Sequence, residues 1–230
     1  MIVVLKHYKN ENMVYISHID LIRHFTRAFR RAGLPIEFSE GFNPHMLINL
    51  GTPLPLGVGS EAEYLTVRAA LSSAEEFFER YNEVAPEGLR AIRAFAPSLN
   101  PNIAGKVVAA DYFAPASGIA EKKEEIEAFA SLPSIEMPIT RKGETKIKEV
   151  APLVQSLEVL PNGIRARLAA GNTTLRADAF LSFLAEKLGF SVRVEELVKI
   201  EQYVLADGAI LKTDEYLETL EGGLSARAQK

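Results

Sequence analysis

The most constraining feature is a short amphipathic helix fenced on both sides by β-type sequence. Ile22, Phe25, Phe29 and Ala32 recur at spacings of 3, 4 and 3, which places them on one helix face. Ser17-His18-Ile19-Asp20 supplies an N-cap hydroxyl and an acid three residues later, a variant of the capping box. Gly33 suits the left-handed residue that ends a helix, and Pro35 forbids continuation. A helix with one apolar stripe must bury it on a neighbour, and the neighbours here read as strands.

Residues 2–8 and 13–16 are β-rich around a polar turn at Asn10-Glu11-Asn12. Short strands are expected at 35–39, 46–50, 62–70 and 89–95, and a second helix over 73–84 with Phe77, Phe78 and Tyr81 inward. That order is β-α-β-β-α-β with one extra strand at the start, which defines a ferredoxin-like domain over residues 1–97. Pro97 to Lys106 reads as a linker. A second set follows over 107–212: strand 107–113, helix 121–131, strand-like pieces at 134–141 and 146–147, a hairpin around Pro161-Asn162-Gly163, helix 176–188 and strand 191–205. The expected class is α+β, with two ferredoxin-like (βαββαβ) units in tandem. Each is an antiparallel sheet with helices on one face, the second carries an insertion, and a polar tail follows from 213 to 230.

Composition removes several chemistries. The 230 residues include no cysteine, which excludes disulfides, thiolate nucleophiles, zinc–cysteine sites and cysteine-ligated clusters within this chain. The formal net charge is −4, so a general attraction to nucleic acid is absent and only a local basic face would supply one. No run approaches a membrane span or a signal peptide, and the expected setting is the cytoplasm. No phosphate-binding loop, dinucleotide fingerprint, zinc-protease motif or serine elbow occurs. Neither a metal nor another cofactor is expected.

Three stretches carry candidate function. Ser17, His18 and Asp20 open the first helix, where free N–H groups suit an anion; plain capping is the competing reading. Arg23, Arg27, Arg30 and Arg31 share the face opposite Phe25 and Phe29, with His24 beside them and Asp20 the one acid in the helix. They suit a phosphate backbone, or are paired with acids such as Glu75, Glu76 and Glu79. Gly41, Phe42, Asn43 and His45 form a loop around Pro44, in which Phe42 either stacks on a ligand ring or closes the core. Pro53-Leu54-Pro55-Leu56-Gly57 offers a stiff wall.

Taken in order, Ser17-His18-Ile19-Asp20-Leu21-Ile22-Arg23, Arg27 to Pro35, Ser39-Glu40-Gly41-Phe42-Asn43-Pro44-His45, Leu54-Pro55-Leu56-Gly57 and Ser60-Glu61-Ala62-Glu63-Tyr64 resemble the bacterial "radical SAM-linked" family of unknown function. The resemblance covers about residues 13–68. It implies an accessory role beside a radical SAM enzyme and a role near RNA or a ribonucleoprotein, and it implies no catalytic residue. The family usually has Pro-Lys after Asn43-Pro44-His45, where this chain has Met46-Leu47, and an arginine near Ile200-Glu201 is replaced. Two alternatives stay open. One is a metal-independent RNA endonuclease of the CRISPR-associated kind, with His18 or His24 as general base. The other is a protein–protein module without a ligand.

Overall fold

The computed structural model describes residues 1–141 and 143–221. The chain divides into two compact units, one made of Met1–Val107 with the chain from Tyr203 onward, the other of Val108–Gln202. In chain order the elements are β1 (Ile2–Lys9), α1 (His18–Arg31), β2 (Ile48–Leu50), β3 (Gly59–Arg68), α2 (Ala74–Asn82), β4 (Ala91–Phe95), α3 (Ile103–Lys106), β5 (Val107–Ser117), α4 (Lys123–Phe129), β6 (Glu136–Arg141), β7 (Glu144–Glu149), β8 (Val154–Leu160), β9 (Gly163–Ala169), α5 (Ala177–Leu188), β10 (Ser191–Val192), β11 (Val198–Ala206), β12 (Ala209–Lys212) and α6 (Thr213–Glu221). The protein is thus mixed α+β, with mostly antiparallel strands. No described helix is long and apolar enough to cross a membrane.

In the first unit β1 pairs antiparallel with both β3 and β4, and β2 pairs antiparallel with β3. Alternation then decides what each face sees. Val3 and Leu5 of β1 and Leu65 and Val67 of β3 join the core with Phe25 and Phe29 of α1 and Phe77 and Tyr81 of α2. The rings of Phe25, Phe29, Phe77 and Tyr81 meet edge-on or tilted at 5.4–5.8 Å. Lys6 and Tyr64, cross-strand partners, take the opposite phase and both reach Asp214 of α6 at 2.7 Å. Helix α6 therefore covers the other face of the β1–β3 pair.

Both expected ends of α1 are present. Ser17 Oγ accepts from the Asp20 amide at 3.2 Å. At the other end Gly33 adopts φ +62°, its N–H donates to Arg30 O, and Leu34 N–H donates to Phe29 O. That is the six-to-one closure that only a left-handed residue permits. Arg80 of α2 donates to Ala32 O through Nε at 3.1 Å and Nη2 at 2.9 Å, so the second helix caps the first.

Several details differ from the sequence reading, among them that 35–39, expected as a strand, carries only isolated bridges of Ile36 with Ala69 and Phe38 with Met46. The buried stripe of α1 is Leu21, Phe25, Ala28 and Phe29, with Ile22 and Ala32 half-buried at its edges. Residues 11–15 form a 3-10 turn rather than a strand. The stretch 97–106, expected as a linker, carries α3, and Ser98 N–H and Oγ both donate to Leu220 O of α6. The expected tail opens with α6, and residues 222–230 lie outside the described residues.

In the second unit β5 pairs with β9 and β10, and β8 with β9. The β8–β9 turn is Pro161-Asn162, as the sequence suggests. Strands β6 and β7 form a separate two-stranded hairpin. Its base is pinned by the Glu149 carboxylate, which accepts from Ser134 Oγ and from the amides of Ile135 and Ala151. Those bonds, the Ser134 one foremost, hold the Glu149 pKa below the usual carboxylate value.

Candidate functional site

Each of the three stretches singled out above has a defined place in the first unit. At the start of α1 the cap is internally satisfied. Ser17 Oγ donates to Asp20 Oδ2 at 2.7 Å, and Arg23 Nη1 donates to Asp20 Oδ1 at 2.9 Å. The hydroxyl and then the guanidinium keep the Asp20 pKa below its ordinary value. A carboxylate already complements the helix N-terminus, so Ser17 and Asp20 act as a cap.

His18 is left over from that cap. It is exposed, and it stands at a cavity of ≈ 20 Å³, room for about one water, walled also by Leu21, Thr52 and Leu54. Three ionisable groups with almost no access to water also line it: His7 (1% exposed), Lys9 (3%) and Glu63 (8%). His7 and Glu63 are cross-strand partners on β1 and β3. His7 Nδ1 lies 2.7 Å from the Tyr8 carbonyl, so Nδ1 carries the proton, and the ring packs edge-on against Phe25. Lys9 and Glu63 were missed in the sequence. Their signal is positional: in β1, Val3, Leu5, His7 and Lys9 share one alternation phase, and that phase is buried.

Arg23, Arg27, Arg30 and Arg31 are all exposed. Arg23 is taken by Asp20. Arg31 Nη2 donates to Val84 O at 3.3 Å. The α2 glutamates do not neutralise the face: Glu76 pairs with Arg80, and among the described residues no carboxylate lies within 4.0 Å of Arg27, Arg30 or Arg31. Arg30 and Arg31 also sit in the last turn of α1, where cations complement the helix dipole.

His24 is half-buried and is not part of that exposed face. Its Nε2 is buried with no hydrogen-bond partner among the described residues. Burial, and secondarily Arg31, push its pKa below 6.5. The folded state then resists a proton that the unfolded state accepts, so stability is lost as pH falls through the unfolded value of 6.5. The thermal midpoint should drop between pH 7 and pH 5, and His24→Gln should flatten that drop. An unchanged slope in the variant would refute the assignment.

The 39–45 loop is closed at its neck. Ser39 N–H donates to His45 O at 2.8 Å, His45 N–H donates to Ser39 Oγ at 3.1 Å, and Ser39 Oγ lies 2.9 Å from His45 Nδ1. Gly41 turns at φ +114° and nothing approaches it. Phe42 stands 111% exposed, so it closes no core. Asn43 and Pro44 are exposed with it. His45 is turned to Ser39, while His7 lies in the β1 cavity. Among the described residues no three histidine, aspartate or glutamate side chains are grouped to hold a metal ion.

The first unit is therefore an α+β scaffold that displays a basic helix face and an aromatic-tipped loop, with three buried ionisable residues around a small cavity near the helix start. The chain belongs to the family described as "Uncharacterized protein conserved in bacteria" (DUF2344), whose model matches residues 3–179. No curated protein matches it.

Proposed function

We propose that this protein is an accessory recognition module that presents RNA or a ribonucleoprotein to a radical SAM enzyme. One observation carries the RNA part: Arg27, Arg30 and Arg31 project from α1 with no carboxylate in ion-pair range among the described residues. Guanidinium groups so placed match phosphate oxygens. The fully exposed ring of Phe42 suits base stacking. The enzyme partner rests on the family resemblance. The cluster such chemistry needs is held by cysteine thiolates, and this chain has none, so a partner would supply it.

We read the scaffold as ferredoxin-like twice over. Neighbours β4-β1-β3-β2 support this for the first unit. In the second, β5, α4, β8, β9 and α5, with neighbours β5-β9-β8, support it, the β6–β7 hairpin being the insertion.

The test is binding of a structured RNA by fluorescence anisotropy across a salt series. Affinity should fall log-linearly with salt, and Arg27→Ala combined with Arg30→Ala should weaken it about tenfold and lower the slope by about 2. No binding, or a double variant indistinguishable from wild type, overturns the reading.

A further inference from the structure

We propose that a cleft on the α6 side of the first unit's sheet is a nucleotide-binding site, which takes a nucleobase on asparagine amides and a phosphate on Arg68. It goes beyond the RNA surface on α1 and uses none of its residues.

Two adjoining hollows of ≈ 220 and ≈ 210 Å³ share Asn49, Thr66 and Asn100. Asn49 on β2 and Thr66 on β3 are cross-strand partners. Thr66 alternates with Leu65 and Val67, which point into the helix-side core, so this pair faces away from α1 and α2. Tyr64, Ile103 and Ala104 line the larger hollow on its apolar side. Its polar rim is Asn49, Thr66, Asn100 and Asn102. An apolar base with a few converging polar groups is the usual make-up of a small-molecule site.

The polar groups are available. Among the described residues the side chains of Asn49, Thr66 and Asn102 make no hydrogen bond, and Asn100 uses only Oδ1, which accepts from the Asn102 amide at 3.1 Å. Each amide offers an acceptor and two donors in one plane, the complement of a base edge. No carboxylate lines either hollow, and the smaller one ends at Arg68. Arg68 is only loosely engaged, 4.0 Å from Glu37 with its side chain 58% exposed. A flat neutral group with an anionic tail fits that sequence of surfaces; a cation does not.

The wall is also fixed before a ligand arrives. Ser98 is tied to Leu220, and Tyr216 Oη donates to Pro101 O at 3.0 Å. Asn102 is held left-handed at φ 46°, ψ 49°, a conformation few side chains adopt and one that asparagine tolerates. Preorganised amides lose less freedom on binding.

The experiment is NMR titration of the ¹⁵N-labelled full chain with the four nucleoside monophosphates, adenosine and inorganic phosphate. The expected result is a saturable shift of the Asn49, Asn100 and Asn102 side-chain amide signals by at least one nucleotide. Asn49→Ala should weaken it about tenfold. Arg68→Gln should weaken the monophosphate several-fold and leave adenosine unchanged. A short single-stranded RNA that competes would identify the natural source as a strand, and one that fails to compete would identify a free nucleotide. Arg27→Ala with Arg30→Ala should leave nucleotide binding intact, so the two surfaces fail separately. The proposal is overturned by no shift at millimolar nucleotide, by phosphate alone reproducing the amide shifts, or by Asn49→Ala binding as wild type.

Discussion

Phe25→Ala should destabilise the first unit by about 3–5 kcal/mol, the range for deleting a buried phenylalanine from a packed core. Phe25 is 0% exposed and holds α1 down on both partners at once. Its ring contacts His7 of β1 at 4.9 Å, Phe29 of its own helix at 5.7 Å and Tyr81 of α2 at 5.8 Å. Three elements line the cavity left behind, and β1 is hydrogen-bonded on both sides, to β3 and β4, so the gap has little room to collapse. The loss should be read as a lower urea midpoint at unchanged slope in the transition that reports tyrosine burial. Phe42→Ala, which removes a ring of the same size from an exposed loop tip, should stay within about 0.5 kcal/mol. A Phe25→Ala variant within 1 kcal/mol of wild type would mean that α1 is not seated by this contact, and the account of the core would be wrong.

The same residue shows what the sequence could convey. Phe25 and Phe29 are legible as core from spacing alone, because a 3.6-residue period has one face and one cap at each end. The rest of the stripe is off by part of a turn. Ile22 and Ala32 share the apolar arc but flank it, while Leu21 and Ala28 are buried in the core; periodicity gives an arc, and only the packing beneath chooses its centre. The 3-10 turn at 11–15 was illegible for a different reason. Asn10 N–H donates to Gly88 O, and Gly57 N–H donates to Val14 O. Contacts with segments far along the chain override β propensity there. At the candidate site the arginines were readable as a face, yet whether acids answered them depended on where Glu76 would point. Phe42 gave no local sign of being out rather than in. Lys9 and Glu63 were hard to read because charge argues for the surface; their place in alternation with Leu5 and Leu65 was the sign of burial.

The second large effect is expected in the other unit, at the ion pair of Asp111 and Arg167. The two are directly opposite on β5 and β9, and the guanidinium binds the carboxylate twice, Nε to Oδ1 at 2.7 Å and Nη2 to Oδ2 at 3.0 Å. Burial is lopsided: the Asp111 side chain is 7% exposed and that of Arg167 36%. Removing one partner therefore has different consequences at the two ends. Arg167→Met takes two charge-assisted bonds from a carboxylate that water can barely reach, and it should destabilise by about 3–5 kcal/mol. Asp111→Asn keeps the shape of the buried group and leaves Arg167 able to turn toward solvent, so its effect should be smaller, about 1–3 kcal/mol. Asp111→Leu combined with Arg167→Met removes both members of the pair and should recover part of what Arg167→Met alone loses. Urea unfolding of the three variants measures the cycle. If Asp111→Asn proves the more damaging single change, or the double variant is as unstable as the two losses added, then the pair is held by something other than desolvation of Asp111. The order of the two single variants is the sharper reading, because it turns on which end of the pair water reaches more easily.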